Sequence, residues 1–419
     1  MRVLLISGNR EVAGVMTPLP LGLACVAAAT AKAGYEVRFL DLLSSTDWKT
    51  AIRNAIASSG PDVIGLSVRN IDDQTMVNTR FLLSPLKDVV ALCRGACGAP
   101  IVIGGAGFSI FPESTLAYLG ADMGIQGEGE TAFPRLLSWL EDGRQGPAPA
   151  GVYLAEQPNA YVPQVISPDL DVLPLPAPDV WLNSEISPEW RIPVQTRRGC
   201  SHDCAFCSTG KIEGRQLRWR SVELVAEWLL SYRDRGFSKF YFVDNTFNVP
   251  SAYAKELCRG IIDARLDIDW WAQIYPKSAD TELADLMARA GCTQVNLGFE
   301  SGSEPVLRLL NKKYKPAEVA EISAIFRAAG IKRNGFLMLG APGETRGTVE
   351  ESLAFAESLH LDALKISAGI RIYPDTALAA RAVAEGIIDS DDDLLFPRFY
   401  AAPAIRGWLP ERIARYNSL

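Results

Sequence analysis

The stretch Ile192-Pro193-Val194-Gln195-Thr196-Arg197-Arg198-Gly199-Cys200-Ser201-His202-Asp203-Cys204-Ala205-Phe206-Cys207 decides the fold. It opens as a short apolar strand, Ile192–Thr196, and turns at Gly199 into a polar loop with three cysteines at CxxxCxxC spacing. Cysteine is ordinarily buried as a small hydrophobe. Three on one polar turn therefore point to a metal. Thiolates are soft, charge-donating ligands suited to iron–sulfur clusters, and three from one loop can converge on three corners of a cubane. Zinc is the rival metal, but a structural zinc wants four protein ligands. The fourth would be His202, Cys258 or Cys292.

Downstream of this strand the chain alternates strand and helix. Strands are expected at Lys239–Val243, Ile268–Gln273, Gln294–Phe299, Lys332–Leu339 and Ala363–Ile372, with helical stretches such as Val222–Arg235, Ala252–Ala264 and Pro316–Ala329 between them. Six βα units are two short of a closed eight-stranded barrel. A TIM-like partial (β/α)6 barrel spanning 191–396 is expected, with 397–419 as a C-terminal tail. Upstream, ten of the 26 prolines fall between Pro147 and Pro193. Proline fixes φ and removes a donor, so 144–190 reads as an extended connector with one hairpin near Gly151–Val162.

Before the connector, continuous Val/Ile/Leu strands are expected at Val3–Ser7, Glu36–Leu40, Val63–Ser67, Ile101–Gly104 and Met123–Gln126. Strands of this kind are buried on both faces of a parallel sheet. The helical stretches Leu19–Ala33, Asp47–Ser58, Leu82–Arg94, Pro112–Leu119 and Thr131–Glu141 separate them. Residues 1–143 thus read as a doubly wound, flavodoxin-like α/β domain, whose ligand lies beyond the strands' carboxyl ends.

The chain has 419 residues, 48% hydrophobic and 22% charged, with a net charge of −7. That composition is globular. Without a basic stripe, nucleic acid is not expected as a partner. The longest apolar run near the start, Leu19–Ala31, is closed by Lys32 and is too short for a membrane span. No secretory leader is evident, so the eight cysteines point to a reducing cytoplasm. With His202 and His360 as the two histidines, a multi-histidine metal site is excluded and no acid–base residue stands out.

The CxxxCxxC loop with Phe206 just before its third cysteine resembles the cluster loop of the radical S-adenosylmethionine (radical SAM) superfamily. The resemblance implies that Cys200, Cys204 and Cys207 hold a 4Fe–4S cluster whose fourth iron is chelated by S-adenosylmethionine. It also implies reductive cleavage to a 5′-deoxyadenosyl radical and an electron donor such as flavodoxin or ferredoxin. By the same resemblance Phe206, Asp244 and Asn245 contact that cofactor at the barrel mouth. Glu300 and Ser301 would bind its methionine or ribose part, and Leu339 and Gly340 would run along its adenine. The family's Gly-Gly-Glu after the second strand is not present. Arg197 and Arg198 would neutralise the cofactor carboxylate or sit in solvent.

The front half resembles a cobalamin-binding domain of the kind that precedes such barrels. The resemblance places cobalamin against Gly8, Asn9, Ser67, Val68, Arg69, Asn70, Gly104, Gly105, Ala106, Gly127 and Glu128. The first loop lacks Asp-x-His-x-x-Gly, so cobalt takes no histidine from this domain.

A cobalamin-dependent radical SAM methyltransferase is therefore expected, a class B enzyme methylating an unactivated carbon or phosphorus of a small molecule or natural-product intermediate. The runner-up uses the same cofactors for cyclisation, rearrangement or oxidation without methyl transfer. A methylthiotransferase is disfavoured because Cys25, Cys93 and Cys97 form no second cluster set. A non-enzymatic corrinoid- or zinc-binding module is the remaining alternative. Residues after the sixth strand (Arg371, Tyr373, Pro397–Tyr400) carry no pattern that names a substrate.

Overall fold

The computed structural model describes residues 1–10, 19–158, 162–182 and 190–417. Most of the first glycine-containing loop, residues 11–14 included, lies outside the described residues. Strands β1 (Arg2–Ser7), β2 (Glu36–Asp41), β3 (Val63–Ser67), β4 (Ile101–Gly104) and β5 (Met123–Ile125) form a parallel sheet. Val3 and Leu5 pack on one side with α1 (Leu21–Lys32), while Leu4 and Ile6 pack on the other with α2 (Trp48–Ser59) and α3 (Leu83–Ala96). Apolar side chains on both faces explain the unbroken Val/Ile/Leu runs. After β4 the chain forms α4 (Ala106–Ile110) and α5 (Pro112–Leu119), and after β5 it forms α6 (Gly129–Glu141).

The strand order is β2-β1-β3-β4-β5-β6. The chain departs from β1 in opposite directions to β2 and β3, which opens a crevice beyond their carboxyl ends. Strand β6 (Val152–Leu154) lies within the hairpin expected near Gly151–Val162, of which 159–161 fall outside the described residues. It pairs antiparallel with β5 and extends the front sheet, so this part of the connector is regular structure.

After α7 (Asp179–Leu182) comes the half-barrel. Its strands are β7 (Ile192–Val194), β10 (Lys239–Phe242), β11 (Asp269–Ile274), β12 (Cys292–Glu300), β13 (Lys332–Leu339) and β14 (Ala363–Ala368), hydrogen-bonded in the order β14-β13-β12-β11-β10-β7. All pairs are parallel, and β7 and β14 do not meet. Between β7 and β10 a two-stranded ribbon, β8 (Arg197–Arg198) with β9 (Arg218–Trp219), closes the base of the cysteine loop. That loop also contains α8 (Thr209–Glu213). Helices α9 (Val222–Arg233), α10 (Ser251–Asp263), α11 (Thr281–Arg289), α12 (Glu304–Leu309), α13 (Pro316–Ala328) and α14 (Arg346–Ser358) surround the sheet.

The chain's end also differs from the expected tail. Beyond β15 (Ile370–Arg371) and α15 (Ala377–Ala384), β16 (Phe399–Tyr400) pairs back on β15, and α16 (Leu409–Asn417) packs beside β14. Leu409 is fully buried there, and Ile405 is 1% exposed.

The two halves share a core. Ile370, Ile372, Leu378 and Leu394 join the cluster that holds Leu4, Ile6 and Ile103 of the front sheet. An ion pair pins the same contact: Arg371 Nε donates to Asp72 at 2.8 Å, with both side chains at 3% exposure or less. Arg371 also donates to the Ile372 and Leu394 carbonyls. Asp72→Ala would leave a guanidinium buried without its charge partner, a loss of about 3–5 kcal/mol. A markedly lower thermal midpoint with unchanged cofactor spectra is the expected result.

Candidate active site

The cysteine loop is tied down at several points. The Cys200 N–H donates to the Gly214 carbonyl at 3.2 Å, Ala205 N–H to Leu310 at 3.0 Å, and Asn311 Nδ2 to the Asp203 carbonyl at 2.9 Å. His202 stacks on Tyr275 with ring centroids 4.0 Å apart. This contact directs the imidazole to an aromatic face, and Tyr275 braces the loop. The three cysteines are free thiols, Cys200 and Cys204 half-buried and Cys207 exposed. Burial pushes the Cys200 thiol up, and the other two sulfurs add to this, so the three lie within one another's field. Cys258 and Cys292 are buried in the core behind the sheet, where neither can serve as a fourth ligand. Among the described residues no three His, Cys, Asp or Glu side chains form a single-ion site.

Lys312 lies behind the loop. Its Nζ is 3.1 Å from Glu300 and 5.0 Å over the Phe206 ring. Burial works against its charge, but Glu300 outweighs it and holds Lys312 well above the ordinary lysine value.

A cavity of about 790 Å³ opens between the front sheet and the barrel mouth. Its front wall includes Gly8, Asn9, Ser67, Arg69, Asn70, Gly104, Gly105, Ala106, Gly127 and Glu128. Its barrel wall includes Gln195, Arg198, Glu213 and Asn245. At Gly105 φ is +104°, and a Cβ there would stand 2.7 Å from the Val68 carbonyl oxygen. Only glycine allows that approach. Arg69 has no side-chain partner among the described residues, and burial lowers its pKa.

Several expected contacts are corrected by burial. Val68 has no exposed surface, and its carbonyl accepts from Gly107, so its side chain is core. Asp244 is fully enclosed. Its oxygens accept from the Thr196 N–H at 2.7 Å, the Thr196 hydroxyl at 2.6 Å and the Arg197 N–H at 3.1 Å. It ties the end of β10 to that of β7. Ser301 is enclosed with its hydroxyl against Ser352 at 3.0 Å, and Leu339 is core. The Gly340 N–H donates to Glu344. Phe206, Asn245 and Glu300 keep partly exposed side chains at the mouth. Neither arginine of the 197–198 pair sits in solvent: Arg197 donates to the Val249 carbonyl at 2.7 Å, and Arg198 to Glu130 at 2.5 Å.

The sequence reading missed Glu213, Glu130 and Glu344. Glu213 accepts from Gln195 Nε2 at 2.9 Å, Gly199 N–H at 3.1 Å and Asn245 Nδ2 at 2.8 Å. Burial pushes its carboxyl up, while Arg198 pulls it back. No local pattern marks a glutamate whose partners come from two distant segments, 195–199 and 245.

Glu344 is 2% exposed and accepts from the Gly340 and Ala341 N–H groups. Burial nonetheless pushes its pKa from 4.5 to about 7. The folded state therefore keeps a proton that the unfolded chain has already released. Stability falls as pH rises from 4.5 to about 7, and the deficit persists above that. Glu344→Gln, neutral at every pH, is expected to flatten this slope. It should raise the thermal midpoint at pH 8, where the deficit is on the order of 3 kcal/mol, and leave pH 4.5 near wild type.

A doubly wound sheet with a glycine-lined crevice, facing a half-barrel that presents three thiols on a braced loop, defines a two-domain cofactor enzyme. The profile of the B12 binding domain matches residues 10–137, and that of the Radical SAM superfamily matches residues 194–356. The chain belongs to the radical SAM enzymes that carry a cobalamin-binding domain. A tryptophan 2-C-methyltransferase of Streptomyces laurentii is 25% identical, covering 87% of this chain and 72% of the relative. A cytidylyl-2-hydroxyethylphosphonate methyltransferase of Streptomyces wedmorensis is 27% identical, covering 90% and 80%. An uncharacterized methyltransferase of Pyrococcus horikoshii is 27% identical, covering 93% and 84%.

In solved structures the fold recurs in the radical SAM methyltransferase TsrM from Kitasatospora setae, with a TM-score of 0.87 and 22% identity over 100% of this chain and 89% of that one. No helix among the described residues is long and apolar enough to cross a membrane.

Proposed function

We propose that this chain is a cobalamin-dependent radical SAM methyltransferase acting on a small molecule at an unactivated carbon or phosphorus. One observation carries the reading. The glycine-lined crevice and the mouth of the thiol-bearing barrel are walls of a single cavity, which a corrinoid and a sulfonium cofactor would share. The residues fit both groups: a glycine-lined cavity of about 790 Å³ leaves room for a large flat ring, and three soft donors on one loop suit iron.

The cluster would supply an electron to the sulfonium of S-adenosylmethionine, and the corrinoid a metal able to relay a methyl group. The protein's part is positional. Cys200, Cys204 and Cys207 would hold the cluster, and Phe206, Asn245 and Glu300 the sulfonium cofactor. Gly8, Asn9, Ser67, Asn70, Gly104, Gly105, Ala106 and Gly127 would line the corrinoid. Arg69 would set an unpaired cation against it. Residues 1–143 form the corrinoid unit and 191–396 the radical unit. Eight free thiols fit a cytoplasmic enzyme, and a flavodoxin or ferredoxin would be its electron donor.

The test is anaerobic reconstitution with iron, sulfide and hydroxocobalamin, followed by S-adenosylmethionine and reductant. Corrinoid-dependent formation of S-adenosylhomocysteine is expected. Formation of 5′-deoxyadenosine with no S-adenosylhomocysteine would replace methyl transfer by cyclisation, rearrangement or oxidation. Stoichiometric zinc without iron would remove the enzyme reading.

A further inference from the structure

The crevice and the cysteine loop are joined by a buried charge network. Two glutamates follow β5 on the floor of the crevice, Glu128 and Glu130, 6% exposed each. Two arginines flank the cysteine loop at its ribbon base, Arg198 and Arg218. Arg198 Nη2 donates to Glu130 Oε1 at 2.5 Å, and its Nη1 stands 3.5 Å from Glu128 Oε1. Arg218 Nη1 donates to the same Glu128 oxygen at 2.6 Å, and its Nη2 to the Glu213 carbonyl at 2.7 Å. Arg198 Nε then donates to Gln195 at 2.9 Å, Gln195 to Glu213, and Glu213 accepts from Gly199 beside Cys200. The chain of contacts thus runs without a gap from the corrinoid floor to the residue before the first thiol.

We propose that Arg198 is a positioning residue that couples corrinoid binding to the order of the cysteine loop. The inference rests on the reading above, that the crevice takes cobalamin and the thiols take a cluster. A guanidinium at 8% exposure must keep its carboxylate. A corrinoid seated on Gly127 fixes the segment that carries Glu128 and Glu130, and these fix the ribbon from which the loop emerges. The ordered loop in turn presents the glutamates to the crevice in their binding arrangement. Coupling of this kind is reciprocal, so the cluster tightens cobalamin by the factor with which cobalamin tightens the cluster. A factor of roughly ten lies within the usual range.

The experiment is a spectral titration of hydroxocobalamin into two forms of the protein. One is reconstituted with iron and sulfide, and the other carries Cys200→Ala, Cys204→Ala and Cys207→Ala. With Arg198 and Glu130 in place, the dissociation constant should be roughly tenfold lower when the cluster is present. The double variant Arg198→Met/Glu130→Leu replaces the buried pair by apolar groups of similar volume, a change that proteins often tolerate. It should fold, bind cobalamin and show the same constant in both forms. Cobalamin should also alter the electron paramagnetic resonance signal of the reduced cluster in wild type and leave it unaltered in this variant.

Equal constants in the cluster-loaded protein and the cysteine-free variant, both with Arg198 and Glu130 in place, would overturn the coupling alone. So would a tenfold ratio retained in the double variant. Absence of any cobalamin binding, or of any iron, would overturn the cofactor reading and the coupling with it. If the double variant fails to fold, Glu130→Gln with Arg198→Gln, which removes both charges, gives the same comparison, and an undiminished ratio there counts against the proposal.

Discussion

Cys204→Ala is expected to leave the protein folded but without its cluster, and to lower turnover of S-adenosylmethionine by roughly 10³-fold or more. The size of the loss follows from the loop's geometry. Cys204 is flanked by two backbone anchors, the Asp203 carbonyl held by Asn311 and the Ala205 N–H held by the Leu310 carbonyl. The substitution therefore removes a thiolate and little else. No neighbouring group replaces it: His202 is stacked on Tyr275, and Cys258 and Cys292 lie in the core. Iron and sulfide content, with electron paramagnetic resonance of the reduced protein, reads the outcome. Cys258→Ala is the control, expected to cost some stability and keep full iron. Stoichiometric iron in Cys204→Ala would end the assignment of this loop as the cluster site.

Gly105→Val is the second large effect, and it acts on the other cofactor. The backbone at residue 105 has a φ of +104°, which a β-branched residue adopts only under strain, and its first side-chain atom would meet the Val68 carbonyl oxygen at 2.7 Å. Main-chain atoms cannot swing aside as a flexible side chain would, so the β4–α4 turn must move into the crevice. Strain of about 1–3 kcal/mol spent against the bound geometry weakens cobalamin by roughly 5- to 150-fold. A titration with hydroxocobalamin measures it, and iron content should stay at the wild-type level. Unchanged affinity would mean that this turn does not border the corrinoid.

Much of this organisation is legible in the linear chain because it depends on short-range pattern. Continuous Val/Ile/Leu runs identify strands buried on both faces, and β3, β4 and β13 begin and end where the pattern places them. Three cysteines within eight residues reveal a metal loop whatever surrounds it. Short or late elements are less legible. A hairpin is expected around Val152–Leu154, but its pairing with the front sheet follows from the unpaired edge that β5 offers, which those residues do not announce. Phe399–Tyr400 becomes a strand because β15 stands opposite.

Site chemistry divides along the same line. The amino-acid order by itself determined the domain pair, the thiol trio and the glycine turns, since each is a property of neighbours in sequence. Which polar groups remain available to a ligand was decided by tertiary packing. Asp244 and Ser301 look like mouth residues in the chain, but Thr196 and Ser352 use up their hydrogen-bonding capacity. Arg198 reads in the chain as a partner for the cofactor carboxylate or as a solvent cation, yet Glu130, 68 positions away, holds it inside the protein. A buried charge takes its meaning from the partner that desolvation forces upon it, and that partner is supplied by the fold.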